Sequence, residues 1–241
     1  MKILNSSCAV KFKRILLIDV KIYSKIQSIL GTSFKDLLPT PFQDNNLPPD
    51  IPRYTAKSYY GHTEISVALN QVLLQINFDG EYKKDYNIAA EYIKEKLDLV
   101  KKVATVLSES FDFSGLSVNI QFDENEISQE FISALNKQKE FMCSKPLFEF
   151  DHKFTFIQDK YDYINIRFSN PVETITKHEK IELMDLQKGI SVFIDINDRH
   201  GFNFKKGYQS SIDIIDKHFR NLNNVVKNKI TKIISGEQVN L

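Results

Sequence analysis

The densest run of chemistry-bearing residues is Asp195, Asn197, Asp198, Arg199 and His200. It closes an apolar alternation at Ile190, Val192, Ile194 and Ile196. The loops that follow strands are common places to display catalytic groups. A carboxylate beside an imidazole is a minimal acid/base pair, so Asp195 or Asp198 with His200 are the candidate catalytic residues. The plainer reading is a polar strand terminus, in which Asp and Asn accept turn amides and His200-Gly201 makes the turn. The acids and the glycine fall at the wrong positions for a calcium loop. A second set is Asp79 with Glu81-Tyr82-Lys83. It supplies the E-x-K of a metal-dependent nuclease, but Asp79 lies too close in sequence for the first acid of such a site. Its plainer reading is a solvated loop after a strand. His152 stands in a row of phenylalanines and reads as a core histidine. His62, His178 and His218 have no partner visible in sequence.

Other familiar chemistries lack their motifs. There is no G-x-x-x-x-G-K-[ST], no G-x-G-x-x-G, no H-E-x-x-H, no C-x-x-C and no G-x-S-x-G elbow. With only 8 glycines in 241 residues, a glycine cradle for phosphate is not expected. No cofactor and no metal are expected, and no assembled active site is legible.

A third candidate is electrostatic. Between Lys205 and Lys232 stand Lys205, Lys206, Lys217, Arg220, Lys227, Lys229 and Lys232, opposed only by Asp213 and Asp216. Such a face could follow a phosphate backbone, with Lys205, Lys206, Lys217 and Arg220 as the binding residues. Lys11, Lys13, Arg14, Lys21 and Lys25 could extend it. The plainer reading is a solvated helix whose cations complement the dipole at its C-terminal end. The chain as a whole carries a net charge of only +1, so any basic face must be local.

The elements that would carry these residues follow from periodicity. With 18 Phe and 10 Tyr the chain has ample surface to bury, and disorder is not expected over most of its length. Val10, Phe12, Leu16 and Ile18 share one parity and predict a strand over Cys8–Val20. Ile22, Ile26, Ile29, Leu30, Phe34, Leu37 and Leu38 predict an amphipathic helix, breakable at Gly31-Thr32. Pro39–Pro52 holds five of the seven prolines and predicts an extended surface loop. Arg53–Ala68 and Gln71–Phe78 predict a hairpin or short meander, turning at Gly61 and Asn70. Ile93, Leu97, Val100, Ala104 and Leu107 predict a helix over Tyr86–Ser110. Leu116, Val118, Ile120 and Phe122 alternate as a half-buried strand, and a helix follows over Asp123–Glu140. Phe148, Phe150, His152, Phe154 and Phe156 form one strand face, answered by Tyr161–Phe168 across a turn at Asp159-Lys160. Asn170–Lys188 reads as polar and irregular. Ile212, Ile215, Phe219, Leu222, Val226, Ile230 and Ile233 form the apolar seam of a long last helix, with Gly236 as its stop.

The element order is β-α-β-β-α-β and then α-β-β-β-α. That mixture predicts an α+β fold with mainly antiparallel sheet and the long C-terminal helix packed on it. The expectation is a single domain over residues 1–241, possibly in two sub-layers: a split β-α-β-like half at 1–122 and an α-β-β-β-α half at 123–241. Cys8 and Cys143 are too far apart in sequence to suggest a disulfide framework, and read as two reduced, partly buried thiols. Met1–Val10 is too polar for a signal peptide, and no apolar run approaches the ~18 residues of a membrane span. The expected location is the cytoplasm, without a membrane partner.

Several of these segments together resemble a known family. They are Ile51-Pro52-Arg53-Tyr54, Leu73-Leu74-Gln75-Ile76-Asn77-Phe78, Leu116-Ser117-Val118-Asn119-Ile120, Ser191-Val192-Phe193-Ile194-Asp195-Ile196, and the last helix with His218-Phe219 and Ile230-Thr231. The pattern resembles a sporadically distributed, uncharacterised family of bacterial proteins of about this length. The resemblance runs from residue 8 to about 235. It implies a compact α+β fold and a bacterial origin, and it implies no activity.

Two functions are compatible with this reading. The first is a non-enzymatic binding or assembly protein, docking a bacterial partner protein such as a toxin, nuclease or chaperone client through exposed strand edges. A toxin–antitoxin or phage-defence operon is its expected setting, and the last helix could also be shared in a homo-oligomer. The alternative is a nucleic-acid-binding or nucleic-acid-processing protein that uses the basic C-terminal helix. A small-molecule enzyme has the least support.

Overall fold

A polar, serine-rich opening turns out to be the central strand. The computed structural model describes residues 1–31, 33–40, 47–142, 151–170, 174–177, 180–183 and 189–240. Strand β1 spans Lys2–Lys11 and turns Ser6, Cys8 and Val10 inward. A register shift between Ile3 and Asn5 puts one extra residue into β1, which brings Ile3 onto the same buried face. The alternation expected over Cys8–Val20 therefore begins earlier and stops sooner. It stops for want of partners: Lys11 pairs with Gln71 and Phe113, the first residues of the two flanking strands. Beyond it Leu16 and Leu17 stand in solvent, Leu16 at 93% exposure. Cys8 is a free thiol, and burial pushes it up to about 12. Cys143 lies outside the described residues.

Helix α1, Val20–Leu30, is capped by Asp19, whose carboxylate accepts from the Ile22 amide at 2.7 Å. It ends at Gly31, where φ is +49°, so the break marked by the sequence is used. The two-residue strand β2, Leu38–Pro39, opens the proline segment, of which residues 41–46 lie outside the described residues. The carbonyls of this segment need donors that its prolines, which lack an N–H, cannot supply. Arg53 supplies them from inside: its guanidinium donates to Ile51 O at 2.9 Å and Leu47 O at 3.1 Å. Next come β3 (Tyr54–Lys57), β4 (Thr63–Val67) and β5 (Gln71–Asn77), a meander turning at Gly61. A single helical turn, α2 (Gly80–Lys84), replaces the solvated loop expected there. In α3 (Tyr86–Leu107), Ile93, Leu97, Val100, Ala104 and Leu107 are buried as the stripe requires. Ile93, Leu97, Val100 and Leu107 each contribute about 1.5–3 kcal/mol on burial.

The rest of the chain adds β6 (Phe113–Asp123), α4 (Gln129–Met142), β7 (Asp151–Gln158), β8 (Asp162–Ser169), β9 (Thr174–Lys177), β10 (Lys180–Leu183) and β11 (Gly189–Asn197). The stretch read as irregular thus contains the paired strands β9 and β10. Of the phenylalanine row, Phe148 and Phe150 lie outside the described residues, as does His178. Next follow the short helix α5 (Arg199–Phe204), then α6 (Ile214–Asn224), a π-helical turn over Val225–Ile230, and α7 (Thr231–Ile234). The π turn adds a residue to the period. Ile215, Leu222, Val226 and Ile230 are buried as expected, but after the turn Ile234 is buried and Ile233 only partly so. The seam has slipped by one.

Among the described residues, nine strands form one sheet in the order β2-β3-β4-β5-β1-β6-β11-β8-β7, and every pairing is antiparallel. The fold is α+β. Helix α3 lies over β1 and β5, and α6 over β6 and β11, so the seam of the last helix is spent inside the chain. The opposite face carries Ser7, Gln75, Ser117, Asn119, Asn165 and Asp195 among its polar side chains. Among the described residues no helix is long and apolar enough to cross a membrane.

Candidate functional site

The end of β11 separates its acids by parity and by turn. Asp195 lies on the polar face. Its Oδ2 accepts from Asn165 Nδ2 at 3.0 Å and from Asn197 Nδ2 at 2.8 Å, and Asn165 Oδ1 accepts in turn from the Thr155 hydroxyl at 2.8 Å. The carboxylate therefore ties β7, β8 and β11 together. Burial pushes its carboxyl above the usual range, against the pull of the two amides. Asp198 goes the other way, into the core beneath α6. Its Oδ1 accepts from the Ser114 amide at 2.6 Å and its Oδ2 from the Tyr208 hydroxyl at 2.7 Å. His218 faces it, Nε2 standing 3.8 Å from Oδ1, past hydrogen-bond reach but close enough to act electrostatically. Both side chains are almost wholly excluded from solvent. Burial drives the Asp198 carboxyl up. His218, Ser210, the Ser114 amide and Tyr208 outweigh burial and hold it below the ordinary range.

The imidazole that meets Asp198 is therefore His218, twenty positions on, and not His200. His200 stands on α5, where its Nδ1–H donates to the Lys160 carbonyl at 2.9 Å. A carbonyl only accepts, which fixes that tautomer. Its ring lies 5.1 Å from Tyr163 and 5.0 Å from Phe204. Among the described residues His200 makes no ion pair with a carboxylate, and no three His, Cys, Asp or Glu side chains gather as a metal site would require. The Asp198–His218 pair is sealed, and no substrate atom can reach it in this conformation.

The cations are divided in the same way. Lys205 Nζ donates to the Tyr161 hydroxyl at 2.9 Å and lies 4.3 Å from its ring centroid, which holds that phenol below its usual range. Lys217 Nζ stands 2.7 Å from Asp162 Oδ2 and 3.2 Å from Asp159 Oδ2. Burial would lower the Lys217 ammonium, but the two carboxylates raise it. Lys206 and Arg220 are exposed and make no ion pair among the described residues. With the Gly201 amide donating to Tyr161 O at 2.9 Å, the polar contacts of α5, Lys205 and α6 gather on the turn between β7 and β8 and on Asp162, the first residue of β8. That turn places Asp159 and Lys160 at φ of 51° and 67°, a left-handed pair that suits a tight hairpin but strains non-glycine residues. Helices α5 and α6 act as a clamp on it.

What the clamp holds is a sheet edge. β7 is the last strand of the sheet, and its outer side has no strand partner among the described residues. Phe154, Phe156 and Ile157 are exposed on it, Ile157 at 60%. A shallow groove beside them is completed by Ile233 and Val239. The sequence puts Phe154 and Phe156 on one strand face, and their register opposite Ile166 and Ile164 keeps them on one face here. Only the strand order puts them at an edge. No protein-family model matches the chain, and no curated protein matches it.

Proposed function

We propose that this chain is a binding or assembly protein without an active site of its own, and that it docks a cytoplasmic partner protein along the outer edge of β7. The observation that carries this reading is the apolar edge strand itself. Soluble proteins usually blunt such edges with charge, proline or a covering segment. Here Asp151 and Lys153 occupy one end, while Phe154, Phe156 and Ile157 leave the other apolar. Backbone groups on a free edge supply affinity by strand addition, and alternate side chains supply specificity. The clamp on the β7–β8 turn holds the edge in place before the partner arrives, which lowers the ordering cost of binding.

The test is purification of the tagged chain at moderate salt, with analysis of what co-elutes and hydrogen exchange on the complex. A stoichiometric protein should slow exchange of the 151–158 amides and be lost in Ile157→Lys. Nucleic acid that leaves on raising the salt, and that Lys206→Ala with Arg220→Ala removes while Ile157→Lys does not, would replace this reading with the nucleic-acid one. Light scattering identifies the remaining outcome, a second copy paired edge to edge, which Ile157→Lys would dissociate.

A further inference from the structure

At the opposite end of the sheet a cavity of about 270 Å³ opens between the β3–β4 turn, α2 and α3. Its walls are tyrosines: Tyr59 and Tyr60 from the turn, Tyr82 from α2 and Tyr92 from α3. Tyr92 is fixed, its hydroxyl 2.7 Å from the Thr63 hydroxyl and its ring 5.1 Å from Tyr82. Tyr60 is 87% exposed and Tyr59 is also exposed, so the two rings offer flat apolar surface that the protein itself does not cover.

The cavity has one buried charge. Lys96 is 5% exposed, and among the described residues it is the one lysine classed as buried. Its ammonium lies 4.8 Å from the Tyr92 centroid and 5.8 Å from that of Phe34. An ammonium has three protons to donate. Among the described residues its one carboxylate partner is Glu95 Oε1 at 2.7 Å, from a side chain largely in water. His62 Nε2 on the rim stands 3.5 Å from Asp79 Oδ2, while the Lys96 ammonium lies deeper.

An aromatic cage often receives a quaternary ammonium. Here the cage already holds its cation, so a second positive group is repelled and a negative one is drawn in. The volume lies just below the ~300–1,000 Å³ of drug-sized sites, which suits a molecule of one or two rings. We propose that this pocket binds a small, flat aromatic anion, its ring stacked on Tyr59, Tyr60 and Tyr82 and its negative group directed at Lys96. The proposal is independent of the β7 edge.

Calorimetry on the full chain tests it with four probes. Indole-3-carboxylate and adenosine monophosphate are flat anions, tryptamine is a flat cation and cyclohexanecarboxylate is an anion without a flat ring. At least one flat anion should bind ten-fold or more tighter than both controls, and the tighter of the two separates a carboxylate ligand from a phosphate one. Tyr60→Ala, at a solvent-facing position that leaves the fold alone, should weaken binding about 5- to 150-fold, the range for losing one stacking ring. Lys96→Met should weaken it at least ten-fold, with Lys96→Arg retaining most of the affinity. Equal binding of tryptamine or cyclohexanecarboxylate, an unchanged Kd in Tyr60→Ala, or no heat from either flat anion at millimolar concentration would each overturn the proposal.

Discussion

Lys217→Met separates the structural and functional readings of the basic helix most sharply. Asp162 is fully buried, and among the described residues Lys217 Nζ, 2.7 Å from Oδ2, is the one polar partner of its carboxylate and the charge that compensates it. Methionine keeps the length of the side chain and removes the charge. An uncompensated buried carboxylate costs about 3–5 kcal/mol once its partner is gone. In a chain of this size each kcal/mol lowers Tm by roughly 2–4 °C, so melting should fall by roughly 6–20 °C. Far-UV circular dichroism on heating reads this directly. Lys217→Met combined with Asp162→Leu should recover most of the loss, because replacing both charges leaves nothing unpaired. A Lys217→Met chain that melts with the parent, or a double variant no better than the single one, would refute the reasoning. The outcome also governs interpretation of any nucleic-acid assay. Binding lost in Lys217→Met reports unfolding unless the melt is unchanged, whereas Lys206 and Arg220 carry no such burden.

Two further predictions concern the sealed cluster. A Cβ on Gly201 would fall 2.7–2.9 Å from ring carbons of Tyr208, so Gly201→Ala must displace the ring that donates to Asp198. Urea unfolding should show a loss of about 1–3 kcal/mol for the overpacking, and more if the hydrogen bond to the carboxylate goes with it; the same change in a Tyr208→Leu background should cost less. The Asp198 carboxyl is held below its ordinary value, so the stability it lends is complete above its unfolded pKa, near pH 4, and drains away as pH falls through the lower folded value. Stability measured in urea at stepped acid pH should therefore fall less steeply in Asp198→Asn than in the parent.

What the sequence made legible was governed by local patterns, and what it hid was governed by neighbours. The alternation at Leu116–Phe122 and the stripe of α3 needed only their own spacing to be read, and both elements lie where that spacing puts them. β1 was misplaced because Ser6 and Ser7 look like loop and Leu16 looks like core, whereas the available partners, β5 and β6, reach only as far as Lys11. Ile233 and Ile234 exchanged roles because a π turn leaves no mark on a hydrophobic rhythm. At the site, adjacency in sequence joined Asp198 to His200, while helix α6 brings His218 to it from the far side of a loop. The tyrosine cavity draws on separate elements, and Tyr59-Tyr60 beside His62 was the one local sign of it.

The strand order also sets a schedule for synthesis. β11 lies between β6 and β8, so the β7–β8 hairpin joins the sheet only through a strand made after it. As the chain leaves the ribosome, one edge of β6 and one of β8 must wait unpaired for Gly189–Asn197. At about 5–20 residues per second, the interval between completing Asp123 and completing Asn197 is on the order of 4–15 s. For that interval the nascent chain shows the unpaired edge of β6, joined by that of β8 once Ser169 is made, and whatever shields them in the cell must act during translation.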